Sequence, residues 1–484
     1  MLLQIVYLLF ASVVGVFVIY SLLLFLQQCW QLRKFCGPIA IPFLGNCYTE
    51  QAFRLIGYVA ILRKKYGKTF TFFGFMKPYL IVCDPIVVRR ILSDPKSFIK
   101  GSDYTYQFAA GFGQGLVTSN GDKHRKDRAL FNKYFIRSSV SKFTQVINKI
   151  TNEVIASSFS SISSKSKPVN METFFACLSL RVFMQFAIGT DYSSDPKREK
   201  EVCHLVSTGS FSVGRVITLG LPMWRIIPWV NNVYATRESL ITDFRRILQE
   251  RKDAMARGEA ADISDCLSAM INENMSLQDM DDHYMTLICA GHDTTAFFSA
   301  YLCFLLSKNP AVQETLLAEI QGQFPDPDKD ITADEIAELK YLNQVMQETL
   351  RLYSIIPQLT RYSATEVDIP EANITIPKGV NILIPFSVIN RDPEIWENPS
   401  EFRPERFADK GMDFTAPKQA FYPFGYSTRV CIGNTLAQIE SAIFICKLLQ
   451  KFRIEEDPGF HPNIKSGISL TTSNGINVIL KKRN

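Results

Sequence analysis

The chain has 484 residues and a formal net charge of +6, from 53 Lys and Arg against 47 Asp and Glu. This slightly basic balance, in a sequence without an RNA- or DNA-binding motif, argues against a protein that binds nucleic acid. The 11 cysteines are scattered, odd in number and contain no Cys-x-x-Cys pair, which indicates reduced thiols in a reducing compartment rather than a disulfide framework.

The first predicted element is a membrane-spanning helix. Residues 5–26 carry no charge, and at about 1.5 Å per residue they can cross a bilayer core of about 30 Å. No basic residue precedes them, while Arg33 and Lys34 follow, so the positive-inside rule places the rest of the chain in the cytosol. We expect an uncleaved anchor, because a signal peptide has a basic start and a small-residue cleavage site. A buried core helix is the alternative.

The residues after the anchor predict a hinge and then strands. Two prolines and two glycines in residues 36–46 prevent a continuing helix and stiffen the connection. Strand signals follow at residues 69–75 and 79–82, around a turn at Met76-Lys77-Pro78. The expected organisation is an anchor over residues 1–32, a hinge over residues 33–46 and one large domain over residues 47–484.

Residues 101–121 are rich in glycine and aromatic side chains, among them Phe108 and Phe112. This composition predicts a mobile loop with apolar side chains. A surface loop with its aromatic rings tucked beneath it is the alternative interpretation.

A helix predicted from Gly121 onwards carries several cations. His124 and Arg128 stand four residues apart in it. A histidine can donate a hydrogen bond to a carboxylate, and an arginine can pair with a carboxylate bidentately. Three further cations either form a solvated charged face or dock an acidic partner protein, and these are Lys123, Arg125 and Lys126.

A long helix is predicted between an N-cap at Ser276 and the helix-breaking Pro310. Gly291 inside this helix costs roughly 1 kcal/mol against alanine, so a requirement other than helix stability explains it. Ala290 and Gly291 would leave a gap beside a flat cofactor.

Two side chains in the middle of that helix can move protons. Asp293 is an acid directly before the alcohol Thr294, and such a pair can relay protons from solvent. The Thr294 hydroxyl can also donate to a carbonyl of its own helix.

Residues 332–335 match a capping box, and a helix predicted over residues 341–353 carries Glu348 and Arg351 on one face. A buried ion pair needs further partners, since otherwise its desolvation outweighs its attraction. Arg406 is the candidate partner.

Two turns are predicted in the last third of the chain. Strand signals at residues 374–376 and 380–384 flank Pro377-Lys378-Gly379, which is typical of a tight turn between strands. Residues 467–471 predict a second turn near the end.

Residues 424–433, Phe-Gly-Tyr-Ser-Thr-Arg-Val-Cys-Ile-Gly, place Cys431 just before a helix predicted from Asn434 to about residue 452. The helix dipole and the unpaired amide groups at that end favour a thiolate, which is the form of sulfur that ligates metals. Gly433 permits a close approach of the backbone, and Phe424 can limit water near the sulfur. The alternative is that Cys431 is a small buried hydrophobe, as most free cysteines are.

The stretch 424–433 resembles the haem-binding loop of cytochromes P-450, in which Phe, Gly, Arg, Cys and Gly stand at these offsets. Ser427 departs from that pattern, because the family usually has glycine there. Residues 36–46 partly resemble the proline-rich hinge of the microsomal members of the family.

Earlier motifs agree with the same resemblance. Residues 290–295 resemble the oxygen-activation motif of the family, and Glu348 and Arg351 with residues 402–407 resemble its Glu-x-x-Arg helix and meander. The chain departs at His124, where the family usually has tryptophan.

The resemblance implies a mainly α fold with small β-sheets, the cytochrome P-450 fold, behind one N-terminal transmembrane helix. It implies that the cofactor is haem b, iron protoporphyrin IX, with Cys431 as the axial ligand of the iron. The other residues implied in cofactor binding are His124, Arg128, Arg361, Phe424, Arg429, Gly433, Ala290 and Gly291. The implied catalytic residues are Asp293 and Thr294, the structural residues are Glu348, Arg351 and Arg406, and the substrate-pocket residues are Phe108, Phe112, Leu287, Ile356 and Leu470.

The function that the resemblance implies is a monooxygenase. It would use dioxygen and electrons from NADPH, passed on by a flavoprotein reductase, to oxidise a lipophilic small molecule such as a fatty acid, steroid or xenobiotic. The expected protein is a monomer in the endoplasmic reticulum membrane, single-pass, with its catalytic domain in the cytosol. The alternatives are a peroxide-driven isomerase or dehydratase of the same fold, and a non-catalytic membrane-tethered haem protein that senses or stores a ligand.

Overall fold

The computed structural model of the chain describes residues 2–47, 55–160, 167–218, 223, 225–259, 265–408 and 421–483. It is mainly helical (61%) with small sheets, which confirms the predicted fold class.

The α-helices of these residues are α1 (Leu2–Gln31), α2 (Leu55–Tyr66), α3 (Pro85–Ser93), α4 (Ala109–Phe112), α5 (Gly121–Phe135), α6 (Arg137–Phe159), α7 (Met171–Ala187), α8 (Pro196–Thr218), α9 (Pro228–Ala256), α10 (Cys266–Asn272), α11 (Leu277–Gly291), α12 (Asp293–Lys308), α13 (Pro310–Gln323), α14 (Ala333–Glu338), α15 (Lys340–Leu352), α16 (Phe386–Ile389) and α17 (Asn434–Lys451). The strands are β1 (Thr69–Gly74), β2 (Lys77–Val82), β3 (Phe98–Ile99), β4 (Val169–Asn170), β5 (Leu359–Ser363), β6 (Val367–Ile369), β7 (Ile374–Ile376), β8 (Asn381–Ile384), β9 (Phe452–Glu456), β10 (Ile464–Ser466), β11 (Leu470–Thr472) and β12 (Asn477–Lys482). A π-helical segment spans Asp103–Phe108, and short 3-10 segments span Tyr192–Ser194, Pro370–Ala372, Pro404–Phe407 and Ser427–Arg429.

The chain divides into two compact units. The first comprises Met1–Gly101, Thr218–Gly220 and Gln358–Val388. The second comprises Ser102–Ile217, Leu221–Pro357 and Ile389–Asn484.

In the first unit, α1 is long and apolar enough to cross a membrane. An 18-residue stretch within Gln4–Gln31 has a mean hydropathy of 2.6, and only 6% of that stretch is buried. This outward exposure of apolar side chains does not fit the alternative of a buried core helix, and it is consistent with a membrane anchor.

The main sheet of the first unit has the strand order β1-β2-β8-β5-β3. β1 and β2 are antiparallel with Thr69 opposite Val82, and the turn between them is formed by Phe75 and Met76. The predicted turn at Met76-Lys77-Pro78 was therefore wrong in position, because Pro78 lies in β2 opposite Phe73. A proline is tolerated there, since the pairing of β2 with β8 begins only at the next residue.

The predicted tight turn at residues 377–379 does not join a pair of adjacent strands. β7 pairs with β6, whereas β8 pairs antiparallel with β5 and parallel with β2. The connection is instead held by a remote residue, because the Ser363 hydroxyl donates to the Pro377 carbonyl at 2.6 Å and accepts from the Val380 N–H at 2.9 Å. The residues that predict the turn do not reveal Ser363 as a partner, because it is distant from them in the sequence.

In the second unit, helices pack around α12. It lies against α7, α15 and α17, and α17 in turn lies against α6. The stacked rings of Phe175 and Phe444 join α7 to α17, with centroids 5.9 Å apart. The hydroxyl of Ser299 contacts that of Ser441 at 3.2 Å, which is one of the polar contacts inside this apolar core. The packing fixes α17, and so fixes the loop before it.

The prediction of a loop over residues 101–121 was wrong in part, because residues 103–112 are helical. Phe108 and Phe112 lie one turn apart and are buried, and their ring centroids are 4.5 Å apart. The helical periodicity of these aromatic residues was masked in the sequence by the surrounding glycines.

The predicted long helix is two helices. Ser276 is the N-cap, as expected, and accepts a hydrogen bond from the Asp279 N–H, but α11 ends at Gly291 and α12 begins at Asp293. The Thr294 hydroxyl donates to the Ala290 carbonyl at 2.9 Å. Such back-bonding bends helices, and together with the weak helix propensity of glycine it accounts for the break.

Candidate haem site around Cys431

Main-chain hydrogen bonds define the loop before α17. The Cys431 N–H donates to the Phe424 carbonyl at 2.8 Å, and the Val430 N–H donates to the Ser427 carbonyl at 3.1 Å. The helix that follows begins at Asn434, so the predicted position of the sulfur just before a helix N-terminus is confirmed. The Gly433 N–H donates a hydrogen bond to the Cys431 side chain.

Ser427, which departs from the family pattern, has a left-handed backbone with φ of 59°. A residue with a Cβ pays about 1–2 kcal/mol for this conformation, and glycine does not. The loop therefore has the backbone shape that favours the glycine of the family, even though this chain has serine.

The Cys431 side chain has accessible surface although surrounding protein atoms raise the pKa of its thiol by burial. The hydrogen bond from Gly433 and the nearby charge of Arg128 lower that pKa and so favour the thiolate. An accessible sulfur with a backbone donor and a nearby cation fits ligation to a haem iron, because a bound metal ion deprotonates its thiol.

Two guanidinium groups tie the cysteine loop to α5. Arg128 donates to the Val430 carbonyl at 2.6 Å. Arg429 donates to the Ser119 carbonyl at 2.9 Å and to the side chain of Asn120 at 3.3 Å, just before α5 begins. These hydrogen bonds bring residues of α5 and residues of the cysteine loop together. Both segments must lie close to each other if they are to bind the anionic edge of one cofactor.

The other cations of α5 are largely engaged in ion pairs. Lys123 contacts Asp127 at 3.3 Å and Asp279 at 2.9 Å, and Arg125 pairs with Asp122. The docking of a partner protein on this charged face stays a prediction.

Arg361 and His124 were also predicted to bind the cofactor. Arg361 is buried on β5 in the first unit and donates to the Thr360 carbonyl at 2.9 Å. His124 is buried on α5 in the second unit. Their roles at the haem stay predictions.

Helix packing explains why residue 291 is a glycine, and the sequence did not reveal this. A Cβ at this position would lie 2.1 Å from the Phe183 ring on α7, so glycine permits the close contact of α11 with α7. Ala290 keeps its side chain exposed and Thr294 is half-buried. The accessible part of this segment therefore includes Ala290 and Thr294. Of the two residues predicted to leave the cofactor gap, Ala290 is exposed, whereas the space at Gly291 is filled by the Phe183 ring.

Asp293 is fully buried and is directed at α8. The Ser207 hydroxyl donates to its Oδ1 at 3.2 Å, and His292 Nε2 lies 3.5 Å from the same oxygen. Burial raises the pKa of Asp293, against the opposing effects of His292, Ser207 and Ser210. The carboxyl group is thus biased towards its protonated form, which can donate a proton.

The predicted ion pair of Glu348 and Arg351 is buried and has the expected partner. Arg351 donates to both carboxylate oxygens of Glu348, at 2.7 and 2.8 Å, and Arg406 donates to Glu348 at 2.9 Å. Arg351 also donates to three carbonyls, of Asn390, Pro399 and Glu401. These contacts fix α15 against the segment that leads towards the cysteine loop.

The family model described as Cytochrome P450 matches residues 36–479 of the chain. The chain belongs to the cytochrome P450 family. Membership makes the protein a haem-thiolate monooxygenase, an oxidoreductase that uses haem and dioxygen.

Relatives of this cytochrome P450 cover most of its length. It is 27% identical to Cytochrome P450 3A29 of Sus scrofa, over 86% of this chain and 84% of the relative. It is 26% identical to Cytochrome P450 6B2 of Helicoverpa armigera, over 90% of each chain. It is 25% identical to Cytochrome P450 4d2 of Drosophila melanogaster, over 98% of this chain and 99% of the relative.

The predicted pocket residues of this cytochrome P450 lie on several elements of the second unit. Phe108 and Phe112 are close to α11, since the Phe112 carbonyl accepts from Thr286 at 3.4 Å. Leu287 is buried on α11, and the Leu470 N–H donates to the Ile355 carbonyl at 2.8 Å, next to the half-buried Ile356. Their contact with a substrate stays a prediction.

Sequence reasoning missed the partners of the catalytic candidates. Ser207 on α8 and Phe183 on α7 contact Asp293 and Gly291, respectively. No sequence signal marks them, because their roles come from helix packing and not from local spacing.

Proposed function

We propose that this cytochrome P450 oxidises lipophilic small molecules such as fatty acids, steroids or xenobiotics, with electrons from NADPH delivered by a flavoprotein reductase. The observation that carries the proposal is the exposed Cys431, which lies just before α17 and whose side chain accepts a hydrogen bond from the Gly433 N–H. Activation of dioxygen on a thiolate-ligated haem, here haem b, is the chemistry that the cofactor supplies when bound.

The residues proposed to hold the haem act in three ways. Cys431 would supply the thiolate that ligates the iron, and the Gly433 N–H would orient this thiolate and stabilise its charge. Arg128, Arg429, His124 and Arg361 would neutralise or hydrogen-bond the propionates. Ala290 would leave room beside the ring, and Phe424 would limit water near the sulfur. A role of Gly291 at the cofactor stays a prediction, because the space at its Cα is taken by the Phe183 ring.

Asp293 and Thr294 are proposed to control protons. The raised pKa of Asp293 favours its protonated form, which can donate a proton, and the Ser207 hydroxyl orients the carboxyl group. The Thr294 hydroxyl is held on the Ala290 carbonyl and presents its oxygen lone pairs as acceptors.

The apolar character of the proposed substrate follows from the side chains assigned to the pocket. Phe108, Phe112, Leu287, Ile356 and Leu470 carry no charge and no polar side-chain group, so they favour an apolar ligand.

The test is turnover by the full-length protein with NADPH, a microsomal flavoprotein reductase and ¹⁸O-labelled dioxygen. Fatty acids, steroids and foreign apolar compounds are the candidate substrates, first ranked by the change in haem spectrum on binding. We expect a hydroxylated product that carries one ¹⁸O atom and depends on NADPH. A product made from an organic peroxide without NADPH would contradict the proposal and favour an isomerase or dehydratase. Tight binding of candidates without any product would contradict it and favour a ligand-binding haem protein.

Matched variants assign the proton roles. Asp293→Asn and Thr294→Val should lower product formation by about 10²-fold or more, the size of effect typical of a general acid, without loss of bound haem. Thr315→Val, which removes the same type of hydrogen bond from an exposed threonine on α13, is the control and should leave turnover within about twofold. Full product formation in Asp293→Asn would contradict the role of this acid.

The proposed location is the endoplasmic reticulum membrane, with α1 as a single-pass anchor and the remainder in the cytosol. The exposed apolar surface of Gln4–Gln31 and the cations that follow at Arg33 and Lys34 support it. Protease treatment of sealed microsomes should digest the catalytic domain. Full protection of that domain would contradict the orientation.

A further inference from the structure

Helices α7 and α8 are joined by an ion pair with favourable geometry. Arg181 on α7 donates to Glu199 on α8 through Nε to Oε1 and through Nη2 to Oε2, both at 2.7 Å. The Glu199 side chain is buried and that of Arg181 is only 19% exposed. Bidentate contacts of this kind fix the position of one helix against the other.

Two cysteines lie one helical turn away from this ion pair, one on each helix. Cys177 lies four residues before Arg181, and Cys203 lies four residues after Glu199, so each cysteine shares a helix face with one partner of the ion pair. The two cysteine side chains are joined by a hydrogen bond. Both thiols are free, as are all 11 cysteines of the chain.

The surroundings make Cys177 the more reactive thiol. The hydrogen bond from Cys203 lowers the pKa of Cys177, and the charges of Arg181 and Lys200 act in the same direction, against burial and Glu199. The same hydrogen bond raises the pKa of Cys203. Cys177 is half-buried and can be reached by a small oxidant, whereas Cys203 is buried.

We propose that Cys177 and Cys203 are a redox-active pair that a hydroperoxide oxidises to a disulfide between α7 and α8. In the first step the Cys177 thiolate attacks hydrogen peroxide, which gives a sulfenic acid and one molecule of water once the leaving hydroxide takes up the thiol proton. In the second step the Cys203 sulfur attacks the sulfenic sulfur, and a second water leaves. Two thiols lose two electrons and the peroxide gains them.

Other buried cysteines in the chain lack this arrangement. Cys303 and Cys446 are fully buried, and burial is the main cause that raises the pKa of each thiol. A thiol buried in apolar surroundings is unreactive, because burial disfavours the thiolate. The pair is therefore distinguished by its register on two facing helices.

The disulfide would lie one turn from Ser207, the α8 residue that donates to Asp293. Oxidation would fix this part of α8 against α7. The inference does not depend on the identity of the substrate or of the electron donor.

The experiment uses the haem-loaded, full-length protein in detergent. Hydrogen peroxide is added, free thiols are alkylated, and a digest without reductant is analysed by mass spectrometry. We expect a cross-linked peptide pair that contains Cys177 and Cys203, and we expect dithiothreitol to reverse it. In Cys203→Ser, Cys177 should instead be trapped as a sulfenic acid by dimedone.

Cys47→Ser is the matched control, because Cys47 is half-buried like Cys177 but the pKa of its thiol is raised by burial. This variant should keep the cross-link. The exposed Cys36 reports that the oxidant is active. The proposal is overturned if Cys36 is oxidised while Cys177 and Cys203 both stay free, or if Cys177 becomes a sulfinic acid without a cross-link in the unaltered protein.

Discussion

Arg128 donates a hydrogen bond to the main-chain carbonyl of Val430, at 2.6 Å, so α5 is joined to the residue directly before Cys431. The side chain assigned to the cofactor edge therefore also holds the loop that carries the sulfur. A change at Arg128 should act on the cofactor through both contacts.

We predict that Arg128→Gln retains haem less well. A hydrogen bond from a charged donor contributes about 1.5–3 kcal/mol, which corresponds to a loss of roughly 10- to 100-fold in affinity. The measurement is the rate of haem transfer to an excess of an apo-haem protein. Lys126→Gln, on the exposed part of the same helix, is the control. If the two variants lose haem at equal rates, Arg128 has no special role.

The buried pair of Glu348 and Arg351 should be far more important for stability than an exposed pair. Glu348→Gln removes the charge that two arginines face, and breaking a buried pair costs about 3–5 kcal/mol. Asp328→Asn breaks an exposed pair with Lys451 and should cost less than about 1 kcal/mol. Urea unfolding of the two variants measures both free energies. Similar values would mean that the buried network does not stabilise the fold.

Gly291→Ala should destabilise the protein although alanine is the better helix former. Its Cβ would overlap the Phe183 ring, and overpacking of this kind costs about 1–3 kcal/mol. Adding Phe183→Leu to Gly291→Ala should recover part of the loss, because the shorter side chain leaves room. A double-mutant cycle by thermal unfolding gives the coupling. Additive effects would show that the two positions do not interact.

Glu440 on α17 should make stability depend on pH. It is fully buried, and burial raises the pKa of its carboxyl group well above the ordinary value of 4.5. Above pH 4.5 the unfolded state releases the Glu440 proton, whereas the folded state still binds it. The contribution of this proton to stability is therefore fully present below pH 4.5 and is lost as the pH rises towards the folded pKa. Between the unfolded and the folded pKa of Glu440, the free energy of unfolding falls by about 1.4 kcal/mol per pH unit.

Glu440→Gln removes this titration. Its free energy of unfolding should exceed that of the unaltered protein by more at pH 8 than at pH 5, as measured by urea unfolding. An equal difference at both pH values would show that Glu440 titrates alike in the folded and unfolded states.

The sequence predicted the parts of the site that depend on local spacing. Cys431 before a helix, the capping box at Thr332 and Glu335, and the pair of Glu348 and Arg351 all depend on residues close together in the chain. Local hydrogen-bonding and periodicity rules are sufficient for such features.

The parts that the sequence missed depend on remote partners. The break at His292, the contact of Gly291 with Phe183 and the direction of Asp293 towards Ser207 all depend on how α7 and α8 pack against α11 and α12. Pro78 was misplaced for a local reason, because proline is a turn signal and yet it lies in β2 opposite Phe73 of the same hairpin. Single-sequence rules describe what a residue prefers and not which partner it meets.

The most direct test of the account is the absorption spectrum of the purified protein after reduction and exposure to carbon monoxide. The account predicts the red-shifted Soret band of a thiolate-ligated haem, its loss in Cys431→Ala, and its retention in Cys446→Ala on the following helix. Absence of that band in the unaltered protein, or its persistence in Cys431→Ala, would contradict the assignment of Cys431 as the ligand of the iron.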